Sequence, residues 1–237
     1  MKNLKKAVTL NELIWDTEFF GVSCAKATLN KALSLTEWFE LKNQFKNYSF
    51  ISLINKNSEP INAQLIGKDT AGFLVDVNIQ FEKEISVVEE KPSNVIIHQA
   101  LEKNNQVLEI ANFQFSKFKE DPELAERGGD QIYQQWLNNS FGMKDKFFAL
   151  SKNEEGNING FALFSFRNSS CLIELIAVSQ RGGIGSSLFK AVEYEAHQYG
   201  CKQIKVGTQI RNLEAINFYH KVGCKQVGCH QVFHIWK

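Results

Sequence analysis

The 237 residues are enough for one large domain or two small ones with a buried core. Hydrophobic residues make up 43% of the chain and charged residues 22%, which is ordinary for a soluble globular protein. The net charge of +1 gives no long-range field that would recruit nucleic acid or an anionic membrane, so any polyanionic ligand must be bound by a local site.

The five cysteines are scattered along the chain, and their number is odd. They form no CxxC pair and no cysteine/histidine cluster with the spacing of zinc ligands, so we predict reduced thiols and no metal site. The first ten residues contain three lysines and no continuous apolar stretch, and no apolar run approaches the length of a membrane span. We therefore expect a cytoplasmic protein.

The first half of the chain has three segments with the periodicity of regular structure. The apolar spacing of residues 35–46 predicts an amphipathic helix with Thr36 as its cap. Residues 48–54 predict a strand, and the alternation of residues 73–81 predicts another. The chain also has 19 phenylalanines, which predict a phenylalanine-rich core or, alternatively, rings that line a pocket for a flat ligand such as a base.

Residues 83–93 lose the apolar pattern, and we interpret them as a domain boundary or a long loop. We accordingly predict an N-terminal α/β region over residues 1–92 and a second domain over residues 93–237. In the second domain we predict a short helix or strand and then a helix, followed by an ordered series of strands and helices. The predicted bounds are 107–111 (helix or strand), 131–140 (helix), 146–151, 160–167 and 171–178 (strands), 184–199 (helix), 202–208 (strand), 213–222 (helix) and 232–236 (strand).

The order of these last elements, β-β-β-α-β-α-β, predicts one β-α-β unit in a mostly antiparallel sheet with flanking helices. The fold class is therefore α/β in the broad sense, with the mixed character of an α+β protein. A strand that leads through a glycine turn into a helix is the part of this order that carries chemistry.

That turn lies in residues 172–187 (LIELIAVSQRGGIGSS), where Gly182, Gly183 and Gly185 directly precede the predicted helix. Glycine lets the backbone adopt positive φ and approach a ligand closely. The open N–H groups of the turn and of the helix start coincide with the positive end of the helix dipole, an arrangement that binds a pyrophosphate.

Three types of glycine loop compete for this segment. A Walker loop needs Lys before its Ser/Thr, whereas Ser186 follows Gly185 directly, and a Rossmann loop needs an acidic residue after the next strand. Only the acetyltransferase form, Gln/Arg-x-x-Gly-x-Gly/Ala, fits, through Gln180, Gly183 and Gly185. A tight strand-to-helix turn without a ligand remains the alternative.

A second element lies in residues 206–224 (VGTQIRNLEAINFYHKVGC). The helical spacings place Asn212, Ala215 and Tyr219 on one face. From there the phenol of Tyr219 would reach the sulfur of a thioester between two splayed strands, and the alternative is a core tyrosine.

With both hallmarks in this order, residues 147–236 resemble the GCN5-related N-acetyltransferase (GNAT) superfamily. The resemblance implies a mixed sheet with splayed strands and a site for acetyl-CoA or another short acyl-CoA. One departure is that Ser179 alone separates Val178 from Gln180, so the turn must be tighter than usual. The cofactor-binding residues implied are Ile176, Ala177, Val178, Gln180, Arg181, Gly182, Gly183, Ile184, Gly185, Ser186, Asn212, Ala215 and Tyr219.

Shorter matches along the chain are similar to nucleotide-sugar acyltransferases of the dTDP-fucosamine acetyltransferase type. They are WDTEFFG at residues 15–21, GFLVD at 72–76, FSKF–DP at 115–122, Tyr133-x-x-Trp136-x-x-Asn139-Ser140 and FHIW at 233–236. The resemblance implies acylation of the amine, at C3 or C4, of a dTDP-linked amino-dideoxy hexose for O-antigen or lipopolysaccharide biosynthesis. The acyl group would be acetyl or 3-hydroxybutyryl, and we expect a homodimer.

The predicted roles follow from the chemistry of acyl transfer to an amine. A backbone N–H near residues 176–178 polarises the thioester carbonyl, Tyr219 protonates the leaving sulfur, and Asn212 bonds the pantetheine or a water.

Glu174 is our candidate for the general base, with a salt-bridged glutamate as the alternative. His234 is a second candidate base, and we place it with Phe118 and Asp121 among the substrate-binding residues. Asp121 before Pro122 is alternatively a helix cap. The competing functions are an acetyltransferase for protein N-termini or small amines, and a non-catalytic CoA-binding module of the same fold.

Overall fold

A computed structural model describes residues 7–85 and 90–237. Its ten strands are β1 (Val8–Glu12), β2 (Cys24–Leu29), β3 (Phe50–Asn55), β4 (Phe73–Glu84), β5 (Val95–Gln99), β6 (Phe147–Lys152), β7 (Ile158–Arg167), β8 (Ser170–Val178), β9 (Gln203–Gln209) and β10 (Lys225–Trp236). Its helices are α1 (Ile14–Phe20), α2 (Leu35–Phe45), α3 (Pro60–Asp69), α4 (Asn105–Ile110), α5 (Lys117–Glu120), α6 (Pro122–Glu126), α7 (Ile132–Ser140), α8 (Ile184–Gln198) and α9 (Leu213–Lys221).

All ten strands join one mixed sheet in the order β1-β2-β3-β10-β4-β9-β8-β7-β6-β5. Only β2/β3 and β8/β9 pair in parallel, so the sheet is mostly antiparallel, as predicted. The C-terminal strand β10 lies between β3 and β4, which links the sheet of the first 85 residues to that of the second half. The division at residue 92 stays a prediction, and residues 86–89 of the predicted boundary lie outside the described residues.

Helices cover both faces of the sheet. On the face that we call the first face, α2 and α3 pack over the N-terminal strands and α8 and α9 pack over the later ones. On the second face, α1, α6 and α7 form one apolar cluster with Phe50, and α4 and α7 form another with Phe148. Side chains of one strand alternate between these faces, so neighbouring residues of β4 contribute to different sites.

The parallel pair β8/β9 separates along its length. Pairing is confined to Ser170–Leu172 of β8 and Gln203–Lys205 of β9, and the strands diverge beyond these residues. On its other side, β8 keeps its antiparallel pairing with β7 but shifts register between Leu163 and Phe164, so Glu174 is the extra residue of a bulge. The backbone of β8 after Leu172 thus borders an open cleft.

Local signals explain where the sequence prediction succeeded and where it failed. Helix α2 forms as predicted, but its cap is Ser34, which shares a capping box with Glu37, and not Thr36. Six elements were not predicted: β1, α1, β2, α3, β5 and α5. Strand β2 (CAKATL) has two alanines, which are depleted in strands, and α3 contains Gly67 and little amphipathic pattern.

Candidate functional site

The glycine turn forms the N-terminus of α8. Gly183 is the N-cap residue at φ 85° and Gly182 has φ 142°, a region that favours glycine. Within the described part of the chain, no side chain caps this helix. The first N–H groups of α8 are therefore left for a ligand, as the pyrophosphate prediction requires.

Two further glycines let α8 pack closely against its neighbours. A Cβ on Gly160 of β7 would lie 2.7 Å from Cγ2 of Ile184, and a Cβ on Gly185 would lie 3.2 Å from the Phe218 ring. Gly185, predicted from the motif as a ligand-binding glycine, thus also has a packing role between α8 and α9. The turn itself carries an exposed ion pair between Arg181 and Glu214.

A cleft of about 810 Å³ lies between the diverging strands β8 and β9 and reaches the glycine turn. Every residue that the sequence predicts to bind the cofactor lines this cleft. The volume of the cleft fits the pantetheine of coenzyme A. The uncapped helix start and the positive-φ glycines fit its pyrophosphate. Binding of the cofactor by these residues stays a prediction.

Tyr219 lies on α9 with its ring buried against Phe81, 5.4 Å between ring centroids, and lines the same cleft. Burial raises the pKa of its phenol, and nearby Cys224 acts in the same direction. The hydroxyl is therefore protonated at neutral pH, the state that a proton donor needs. Asn212 caps α9 by accepting a hydrogen bond from the Ala215 N–H at 3.1 Å, so only its Nδ2 group remains to contact pantetheine.

Glu174 also lines the cleft, but its carboxylate is occupied. Lys146 Nζ donates to Oε1 and Oε2 at 2.5 and 2.7 Å, and Ser165 Oγ donates to Oε1 at 2.6 Å. Both members of the ion pair are buried. This is the salt-bridged arrangement considered as an alternative, and a role as general base would require the carboxylate to accept a proton despite the ammonium group.

The remaining predicted substrate residues pack away from the cleft. Asp121 and His234 are fully buried, and His234 Nδ1 lies 2.6 Å from Asp121 Oδ2, which also accepts from Trp236 Nε1 at 3.0 Å. The other oxygen of Asp121 caps α6. Phe118 packs in the second-face cluster with Phe20. Their role in substrate binding stays a prediction, whereas the capping role of Asp121 is confirmed.

Burial alone would raise the pKa of Asp121, but hydrogen bonds from His234 and Trp236 hold it below the usual value. Burial lowers the pKa of His234 more than the bond to Asp121 raises it. The pair is therefore a carboxylate with a neutral imidazole that donates from Nδ1. Among the described residues no group satisfies His234 Nε2.

An aromatic wall that the motif analysis did not assign to the site lines the second-face side of the cleft. It consists of Phe113, Phe115, Tyr133 and Trp136. Tyr133 and Trp136 stack at 6.2 Å with an interplanar angle of 15°, and the Tyr133 hydroxyl lies 3.4 Å from Gln209 Nε2. The i, i+3 spacing of Tyr133 and Trp136 was a signal for a shared helix face. It gave no information on what that face contacts.

Next to this wall, four half-buried charged residues face one another on the second face: Asp16, Lys26, Asp76 and Lys117, here called the charged cluster. Burial raises the pKa of Asp76 to about 6, although Lys117 and the N–H groups of Val77 and Ile210 lower it. Burial and Lys26 lower the pKa of Lys117 to about 8, against the effect of both carboxylates. Burial also raises the pKa of Asp16. Asp16, Asp76 and Lys117 lie within three of the short sequence matches, but the sequence predicted no role for them.

Over residues 7–85 and 90–237, no group of three or more His, Cys, Asp or Glu side chains is placed to hold a metal ion. In the same residues, no helix combines the length and the apolar character needed to cross a membrane.

Solved structures of acetyltransferases share the fold. A GCN5-related N-acetyltransferase from Sphaerobacter thermophilus superimposes with a TM-score of 0.61 over 97% of this chain and 76% of that one, at 12% identity. A GCN5-related N-acetyltransferase from Kribbella flavida gives 0.58 over 99% of this chain and 91% of that one, at 13% identity. At such identities the likeness concerns the fold, and it confirms the mixed α+β sheet with flanking helices.

Curated relatives match part of the chain. Spore coat polysaccharide biosynthesis protein SpsD of Bacillus subtilis (strain 168) is 25% identical over 140 residues, which cover 55% of this chain and 46% of that protein. Uncharacterized protein YdhI of the same organism is 36% identical over 80 residues, which cover 33% of this chain and 49% of that protein. The chain thus spans about half the length of these relatives.

A family model also matches the chain. The model of the acetyltransferase (GNAT) family matches residues 104–224, just over half of the chain, and includes the glycine turn, the diverging strands and Tyr219. The chain therefore belongs to the GNAT family of acetyltransferases.

Proposed function

We propose that this chain is a CoA-dependent N-acyltransferase that acylates the amine of a dTDP-linked amino-dideoxy hexose in surface polysaccharide biosynthesis. The transferred group is acetyl or 3-hydroxybutyryl, and the amine is at C3 or C4. The observation that carries the proposal is the cleft between β8 and β9, with the uncapped start of α8 at the glycine turn and Tyr219 in its wall. We expect the enzyme to work in the cytoplasm as a homodimer, with residues 1–92 adding nucleotide contacts.

The residues of the turn and of β8 have distinct tasks in this proposal. Bound acyl-CoA supplies an activated thioester. The N–H groups at the start of α8 bind the pyrophosphate, and the β8 backbone beyond Leu172, which has left its pairing with β9, polarises the carbonyl. Tyr219 gives its proton to the leaving sulfur, since its phenol is protonated at neutral pH and lines the cleft.

Two features support a nucleotide-sugar acceptor. SpsD is, by its printed name, a protein of spore coat polysaccharide biosynthesis, and its similarity extends over 55% of this chain. The aromatic wall lines the second-face side of the cleft, and the charged cluster lies beside this wall, where the charge of Asp76 acts on Tyr133. Aromatic rings contact the apolar faces of sugars and bases, and lysines bind phosphates, so this side suits an acceptor with all these parts.

The test is a thiol-release assay with acetyl-CoA and 3-hydroxybutyryl-CoA against dTDP-linked 3-amino and 4-amino hexoses. We expect turnover with at least one pair and none with the same dTDP-hexose bearing a hydroxyl in place of the amine. Tyr219→Phe serves as the control for chemistry at this cleft. Absence of thiol release with every dTDP-amino sugar would disprove the sugar assignment.

The same assay separates the competing functions. Turnover with peptide N-termini or polyamines, but not with the sugars, would assign an acetyltransferase for those amines. CoA binding without turnover on any acceptor would assign a non-catalytic module.

A further inference from the structure

The charged cluster differs from the other buried charges of this chain. Lys146 and Glu174 are paired at 2.5 Å, and Lys83 and Glu193 at 2.7 Å. Within residues 7–85 and 90–237, Asp16, Lys26, Asp76 and Lys117 form no ion pair within 4.0 Å, although all four are half-buried and their charges act on the pKa values of Asp16 and Lys117. Half-buried charges without an ion-pair partner are costly, and a ligand of opposite charge would lower that cost.

The sheet places Asp76 at the end of the cluster nearest the cleft. Val77 and Ile79 of β4 pack into the first-face core, so Asp76 and Asn78 point to the second face. Asn78 lines the cleft, and so does Gln209, its partner on β9. The charge of Asp76 also acts on Tyr133, a residue of the aromatic wall.

The lysines lie on the other side of the cluster. Lys26 is on β2, three strands from β4 in the order β2-β3-β10-β4, which corresponds to about 14 Å across the sheet. Lys26 also faces the second face, because Ala25 and Ala27 belong to the first-face core. Lys117 at the start of α5 interacts with both Lys26 and Asp76 and therefore lies between them.

We infer that the charged cluster is the acceptor site, in which Asp76 binds the acceptor's ammonium group and takes its proton, while Lys117 and Lys26 bind its phosphate groups. This inference rests on the proposed function for the identity of the acceptor and adds the direction in which it binds. The amine points to the cleft between β8 and β9, and the anionic end lies over the N-terminal strands.

The proton balance of the step is complete. The acceptor arrives as an ammonium ion and loses one proton to the Asp76 carboxylate, which makes the nitrogen nucleophilic. The nitrogen–carbon bond forms as the carbon–sulfur bond breaks, and the sulfur takes the proton of Tyr219. The Tyr219 phenolate then takes the second proton of the nitrogen, and Asp76 releases its proton to solvent. The products are the amide, the thiol and one proton.

Asp76 suits this task better than Glu174. Its carboxylate is near Lys117, Glu120 and Tyr133, with Asp16 and Lys26 beyond Lys117, and neither lysine lies within ion-pair distance of it in the described residues. A base near pH 6 is half ionised in the range where it must both accept and release a proton. Glu174 instead holds a buried ammonium group at 2.5 Å.

The experiment compares Asp76→Asn, Glu174→Gln and the exposed control Asp145→Asn in the thiol-release assay over pH 5–9. We expect Asp76→Asn to lower kcat/KM by about 100-fold at pH 7.5 and to remove the acid limb near pH 6. Glu174→Gln and Asp145→Asn should keep that limb. Loss of the limb in Glu174→Gln and its retention in Asp76→Asn would overturn the inference.

The binding of the acceptor's phosphate groups by Lys26 and Lys117 is tested by measuring dTDP affinity in the presence of saturating CoA, which occupies the glycine turn. Lys26→Met and Lys117→Met should each weaken dTDP at least tenfold, whereas Asp76→Asn and the exposed control Lys152→Met should bind it as the wild type does. Unchanged dTDP affinity in both lysine variants would disprove this half of the site.

Thermal unfolding tests the inference without the acyl-transfer reaction, so its result does not depend on the proposed function. The raised pKa of Asp76 means that its contribution to stability is complete below about pH 4 and is lost as pH rises through about 6. Asp76→Asn should therefore raise the melting temperature at pH 7.5, and by more than at pH 5. A lower melting temperature at pH 7.5 would identify a structural role and overturn the inference. If dTDP binding and the melting temperatures change as expected but no sugar reacts, the proposed function fails and the site serves another phosphorylated amine.

Discussion

A ligand at the glycine turn would contact backbone N–H groups, whereas a ligand at the charged cluster would contact charged side chains. The turn joins β8 to α8 through five successive residues, 179–183, and its geometry is held by backbone conformations that favour glycine. The cluster collects single residues from α1, β2, β4 and α5, and its charges form no ion pair among the described residues, although Lys117 Nζ lies 5.0 Å from the centre of the Phe118 ring. The first arrangement suits the invariant part of a cofactor, and the second suits a variable acceptor.

The buried ion pair of Lys146 and Glu174 belongs neither to the turn nor to the charged cluster, and breaking it should give the largest effect. Lys146→Met leaves the buried carboxylate of Glu174 without its ammonium partner, so we expect a loss of about 3–5 kcal/mol in the free energy of unfolding, measured by urea denaturation. The double variant Lys146→Met/Glu174→Leu should recover most of this loss. A loss below about 1 kcal/mol in the single variant would mean that Glu174 is not held as a structural ion pair.

The next largest effect concerns the chemistry at the cleft. Tyr219→Phe keeps the buried ring against Phe81 but removes the proton donor, so we expect turnover to fall by about 100-fold, or about 2.7 kcal/mol in activation free energy. CoA affinity, measured by calorimetry, should stay within about twofold of the wild type. Wild-type turnover in this variant would remove Tyr219 as the acid.

A smaller effect is expected at the turn. Gly183→Val places a β-branched residue at φ 85° and distorts the start of α8, so CoA should bind about tenfold more weakly, which is about 1.4 kcal/mol. The control is Gly156→Val, which puts the same side chain at φ 84° in the hairpin between β6 and β7. Equal losses of CoA affinity in both variants would show that backbone strain in general, and not the turn, controls binding.

The smallest effect concerns the Asp121–His234 pair. The pKa of Asp121 is held below its unfolded value, so its contribution to stability is present above about pH 4 and is lost on acidification. The lowered pKa of His234 also makes the protein less stable at acid pH. Below about pH 6.5 the imidazole is protonated more readily in the unfolded chain than in the folded protein. Asp76 gains stability over the same pH range, so the effect of the pair is measured as a difference from His234→Gln. Between pH 7 and pH 5 the wild-type melting temperature should fall by a few degrees relative to that of His234→Gln. A rise relative to this variant would contradict the neutral imidazole.

Prediction from sequence was accurate where the signal was local. The periodicity of the elements from β6 to α9 gave their type and order, and the spacing of Gly183, Gly185 and Tyr219 identified residues that line one cleft. It failed for β2 and α3, whose side chains have weak intrinsic preference and which the tertiary packing of the first-face core stabilises. It could not distinguish a base from a salt bridge at Glu174, since Lys146 is 28 residues away.

The sequence by itself predicted that a strand, a glycine turn and a helix build an anion site, because those properties belong to consecutive residues and to their backbone. Only the tertiary structure decided which charges have partners. The insertion of β10 between β3 and β4 fixes the distance from Lys26 to Asp76, and the return of α5 across the second face brings Lys117 between them. Electrostatic energies depend on distance and on burial, and no spacing along the chain specifies either of these for residues so far apart in sequence.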